Sequence, residues 1–120
     1  MGAEVDPTVP PPAAGGIAIA RLRRCILQHL YAFFRRYPDL PTGLDELAAA
    51  CGASPAELNW NIVYLEKCGY LELSRGYPAP PYAAISATIS VRGIDLVEDP
   101  AALAARFAEV PPENLSPPRE

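Results

Sequence analysis

The sequence is poor in the residues that most enzymes and metal proteins rely on. It has one histidine, one methionine, one tryptophan and three cysteines in 120 residues. Cys25, Cys51 and Cys68 are widely spaced and form no C-x-x-C pair. Only His29 could join them, so no zinc knuckle fits and no metal site is expected. The plain reading of the cysteines is three reduced, semi-buried small residues. A sharper reading makes one of them a redox sensor, with Cys25 pairing across a dimer. One histidine leaves no ready His-based triad. Cys25 and His29 share a helical face but have no orienting carboxylate. No glycine-rich loop resembles a phosphate cradle. The expectation is a chain that is not an enzyme, takes no cofactor and shows no evident small-molecule site. No stretch approaches the ~18–20 apolar residues that cross a bilayer. Glu4 and Asp6 precede a proline run, which is not a signal layout. No membrane contact and a cytoplasmic location are therefore expected.

Basic charge is also scarce. The net charge is −4. Residues 17–110 hold nine basic and ten acidic groups and so carry −1; the ends supply the other −3. A near-neutral body has no general attraction for nucleic acid, so any such binding must come from a local patch.

What the sequence has in quantity is proline, and it is concentrated at the ends. Residues 1–16 include Pro7, Pro10, Pro11, Pro12, Gly15 and Gly16, and residues 111–120 include Pro111, Pro112, Pro117 and Pro118. These segments offer too little apolar surface to offset chain entropy, so both read as disordered tails around a folded 17–110.

Within that body the periodicities are clear. Ile19, Leu22, Ile26, Leu30, Phe33 and Tyr37 follow helical spacing from about Ile17 to Tyr37, with Leu27, Tyr31 and Phe34 as a second apolar strip. Pro38 ends this helix. Thr42 and Asp45 resemble a capping box for a short second helix with Leu44, Leu47, Ala48 and Cys51 on one face, closed by Gly52. Ser54, Pro55 and Glu57 mark the start of a third helix whose Leu58, Ile62 and Leu65 face the core; Gly69 ends it. Leu71–Ser74 and Ile85–Ser90 alternate as a hairpin, with Leu71, Leu73, Ile85, Ala87 and Ile89 inward. Three prolines make the segment between them a loop. A helix over about Val91–Glu98 follows. A last one, capped by Asp99 before Pro100, turns Leu103, Ala104 and Phe107 inward. The fold class expected is mainly α with a small β-hairpin (α+β).

Helix, helix, short turn, helix, hairpin is the order of a winged helix-turn-helix. The run from Leu47 to Ser54 resembles the second helix and turn of that superfamily. Leu58, Ile62 and Leu65-Glu66-Lys67-Cys68-Gly69-Tyr70-Leu71 resemble its recognition helix, and Ile89-Ser90-Val91-Arg92-Gly93 resembles the strand-to-helix exit of bacterial winged-helix regulators. The resemblance implies a winged helix-turn-helix with extra C-terminal helices. It also implies sequence-specific binding of duplex DNA by a small homodimeric transcription regulator. Its third helix would lie in the major groove, and a wing holding Arg75 and Tyr77 would touch phosphate. The first and last helices would carry the dimer contact, through Leu27, Tyr31, Phe34, Leu103 and Phe107. The wide stripe on the first helix agrees with such an interface.

The face of the third helix opposite its core residues is unusual for a DNA reader. Ala56, Trp60, Val63 and Lys67 lie there, with Tyr64 and Glu57 on one shoulder and Asn59 and Asn61 on the flanks. Only Lys67 is cationic. Three readings stay open. Asn59 or Asn61 reads adenine while Trp60 and Val63 touch thymine methyls; or Trp60, Val63 and Tyr64 form a protein-interaction surface; or Trp60 is covered by the wing or a partner and belongs to a core.

Overall fold

A computed structural model describes residues 12–77 and 80–108, with side chains from Ile19 onward. The expected tails at 1–11 and 109–120 lie outside the described residues. The first helix, α1 (Pro12–Arg36), starts five residues before Ile17, so 12–16 are helical and not tail. Pro12 is tolerated at that end because an N–H in the first turn has no intrahelical acceptor. There follow β1 (Thr42–Gly43), α2 (Leu44–Cys51), α3 (Pro55–Lys67), β2 (Leu71–Ser74), β3 (Ser86–Ile89), α4 (Val91–Val97) and α5 (Pro100–Arg106). The described chain is mainly helical with a small antiparallel sheet.

Helix α1 is the spine, in contact with α2, α3, α4 and β3. Its Ile26, Leu27 and Leu30 are buried, and Leu22, Tyr31 and Phe34 pack half-buried against the same core. Leu44, Leu47 and Ala48 come from α2, Leu58, Ile62 and Leu65 from α3, and Leu103 and Phe107 from the C-terminal end. This removes three of the five residues expected at a dimer contact. Leu27, Leu103 and Phe107 are consumed in the core of the single chain. Tyr31 donates a hydrogen bond to the Glu98 carboxylate at 2.8 Å, and Phe34 rests on the core. The stripe on α1 is wide because four elements of its own chain wrap it.

The sheet has one more strand than expected. Its order is β1-β3-β2, with β3 antiparallel to both neighbours; Thr42 faces Ala87, and Leu73 faces Ala87 from the other side. Thr42 is therefore a buried strand residue and not a cap; Gly43 takes the cap position of α2 with no side-chain bond. Two residues are too short a run for alternation to reveal a strand. With β3 central, Ser86 is buried, whereas Ile85, one residue outside the strand, is exposed. Ala104 also faces solvent.

The helix ends follow the expected chemistry. Gly52 closes α2 in the left-handed conformation, φ 65°. Ser54 and Glu57 form a reciprocal capping box on α3 behind Pro55. Asp99 accepts from the Ala102 amide at 3.1 Å to cap α5. Ser90 does two jobs: its hydroxyl accepts from the Gly93 amide at 3.1 Å and donates to the Gly69 carbonyl at 2.6 Å. That bond draws the start of α4 onto the end of α3. The approach is so close that a Cβ on Gly93 would run into the Tyr70 carbonyl and stand 2.8 Å from Ile89 Cγ1.

Gly93→Ala should therefore cost about 3 kcal/mol of unfolding free energy in urea, since the backbone must give way. Gly52→Ala, strained in φ but with open space around it, should cost about 1 kcal/mol. Equal losses at the two sites would contradict the close-packing role of Gly93.

Candidate nucleic-acid interface

The capping box and Pro55 fix where α3 begins, and Leu58, Ile62 and Leu65 fix which way it faces. Its outer face presents Ala56, Trp60 and Lys67 exposed, with Val63 and Tyr64 half-buried at its edge. Trp60 keeps 48 % of its surface exposed, so neither the loop nor the core covers it.

Two arginines from other elements converge on this face, and their positions relative to α3 could not be read from periodicity. Arg23 of α1 lies with its guanidinium 3.6 Å from the Tyr64 ring centroid and 5.4 Å from that of Trp60. Its Nε donates to Asn61 Oδ1 at 2.8 Å. Burial lowers its pKa; the guanidinium stays charged. Arg106 of α5 donates to the Tyr64 hydroxyl at 3.0 Å and to the Tyr70 hydroxyl at 3.2 Å, and stands 4.7 Å from the Phe107 ring. Its pKa is raised, chiefly by the bond to Tyr64. Tyr64 is thus held between two cations. Lys67 in the last turn of α3 adds a third charge, and Arg92, beside Gly69 and 5.6 Å from the Tyr70 ring, a fourth. The cations gather around the C-terminal half of α3.

The two asparagines are not where a reader of bases would hold them. Asn61 is buried, and its amide is used on both sides: Nδ2 donates to the Glu57 carbonyl at 2.8 Å while Oδ1 accepts from Arg23. A helical wheel put it on a flank; the packing of α1 across that flank buries it. Asn59 clamps the loop that follows β2. Its Nδ2 donates to the Pro81 carbonyl and its Oδ1 accepts from the Ala83 amide, both at 2.9 Å. Arg75 is likewise engaged: its guanidinium makes a two-pronged bond to the Glu66 carboxylate at 2.7 and 2.9 Å, tying the loop base to α3. Tyr77, in the same loop, is 97 % exposed. A shallow cleft of about 340 Å³ under the loop has Asp45 as its one charged lining residue among those described. Among the described residues no group of three or more His, Cys, Asp or Glu could hold a metal ion.

Comparison with known proteins returns no matching family model, no matching curated protein and no matching solved structure. Among the described residues, no helix is long and apolar enough to cross a membrane.

Removing the Asn61 side chain should leave the Arg23 Nε without its acceptor in a half-buried place. Asn61→Ala is expected to lower the unfolding free energy by about 2 kcal/mol. Unchanged urea midpoints would mean that the pair is idle. The Arg75 pair makes a pH prediction. Hydrogen bonding to Arg75 lowers the Glu66 pKa, so this pair stabilises the fold above the ordinary carboxylate range and fades as pH falls through the lowered value. In an NMR titration, Arg75→Ala should return Glu66 to the ordinary range. An unmoved Glu66 would contradict the pairing.

Proposed function

We propose that this chain is a winged-helix protein that binds duplex DNA through the outer face of α3. The observation that carries the reading is the cluster of Arg23, Arg106 and Lys67 around the exposed Trp60 and the half-buried Tyr64. A near-neutral body needs a local cationic patch to meet phosphate, and this patch adjoins the helix that would be the second of the helix-turn-helix. The hairpin loop, pinned to α3 by Asn59 and Arg75, is in this reading the wing and carries the exposed Tyr77. In this reading phosphates meet Lys67 and the two arginines, whose guanidinium planes are held by aromatic rings. Asn59 and Asn61 hold the scaffold and read no bases. Trp60 and Ala56 are the groups left to touch thymine methyls. The regulator reading brings a homodimer with it, and the second copy would need a surface other than the core residues of α1. Tyr37 and Leu40, exposed beyond the end of α1, are available for that.

The second reading, a protein-interaction module, is favoured by the half-exposed Trp60 with Val63 beside it. Fluorescence anisotropy of a labelled random duplex separates the two. Binding at low salt that weakens steeply toward physiological salt supports the first. In that case Lys67→Ala should lower the salt slope by about one, and Asn59→Ala should leave any base preference unchanged. No binding at low salt would overturn it, and retention of a protein partner that Trp60→Ala abolishes would then support the second.

A further inference from the structure

The DNA reading leaves two of the three cysteines without a role, and these two lie near one another. Cys25 lies on α1 and Cys51 is the last residue of α2, yet both line one shallow cavity of about 310 Å³ beside the turn into α3. The Cys25 thiol reaches toward the carbonyl of Ala50, the residue before Cys51, 4.0 Å away. Both are free and half-buried. Cys68 stands apart at the end of α3, where its sulfur accepts from Arg106 at 3.3 Å.

We propose that Cys25 and Cys51 form an intrachain oxidation site that closes to a disulfide when the folded protein meets a peroxide. The inference does not depend on what α3 binds. In the first step the Cys25 thiolate attacks one peroxide oxygen; an S–O bond forms, the O–O bond breaks, and one water leaves after proton uptake. In the second, the Cys51 sulfur attacks the Cys25 sulfenic acid; the S–S bond forms, the S–O bond breaks, and a second water leaves with the Cys51 proton. The two thiols lose two electrons and two hydrogens, and the peroxide is reduced to two waters. Burial pushes the Cys51 pKa up, which suits Cys51 to the resolving step. The product would staple the spine helix to the end of α2, next to the turn that orients α3.

The test treats the full chain with equimolar hydrogen peroxide at neutral pH, caps the remaining thiols and digests with trypsin. The expected result is a monomer two hydrogens lighter before capping, with fragment 25–35 linked to fragment 37–67 and fragment 68–75 capped. The thermal midpoint should rise by on the order of 10 °C, because the bridge closes a long loop, and dithiothreitol should reverse the rise. Cys68→Ser should keep the bridge, and Cys25→Ser or Cys51→Ser should abolish it. Linkage through fragment 68–75, a cross-linked dimer, or thiols that stay capped or over-oxidise unlinked would overturn the proposal. The mapping on the unsubstituted chain decides this even where a serine variant does not fold.

Discussion

The fold depends on one strip of α1. Ile26, Leu27 and Leu30 are almost wholly removed from solvent, which is worth roughly 2 kcal/mol for each side chain. A helix buried on so wide an arc must be enclosed by several neighbours, and here α2, α3, α4 and β3 take that place. The positions of those elements follow. The capping box starts α3 where Leu58, Ile62 and Leu65 can reach the strip, and Gly93 lets α4 press against the end of α3. Without the strip, α3 would have no fixed orientation and its outer face would be no defined surface.

The same packing sets the chemistry of that surface. Because α1 lies across one flank of α3, Asn61 is buried and Arg23 is brought onto Tyr64. From the end of α5, Arg106 reaches the hydroxyl of the same tyrosine. Arginines held by rings and amides lose little freedom when they meet an anion, so fewer cations are needed for a local patch than for a strongly basic domain. The cations of this patch are spread through the sequence from residue 23 to residue 106 and come together only in the folded chain.

That explains what could be read in advance. The helices, caps and hairpin were legible because periodicity, proline and capping residues are local signals, and Ser54, Asp99 and Gly52 act as expected. The third strand was not, since Thr42 and Gly43 are too few to alternate. The start of α1 was hidden behind proline and glycine. On the site, Ala56, Trp60 and Lys67 stand on the outer face as the helical wheel places them. Asn59 and Asn61 are claimed by the loop and by α1, because a wheel shows direction and not neighbours, and Arg75, expected in the wing from the resemblance alone, is claimed by Glu66. The width of the α1 stripe was visible, but a stripe cannot say whether a second copy or its own chain covers it.

The most direct measurement is an amide and indole NMR titration of the chain with a short DNA duplex. Shifts concentrated on the Trp60 indole, on Tyr64 and Lys67, on Arg23 and Arg106, and along the loop around Tyr77 are predicted, with Ile62 and Leu65 little changed. No shifts at low salt, or shifts centred on Tyr37 and Leu40 at the far end of α1, would contradict the assignment of the α3 face as the binding surface.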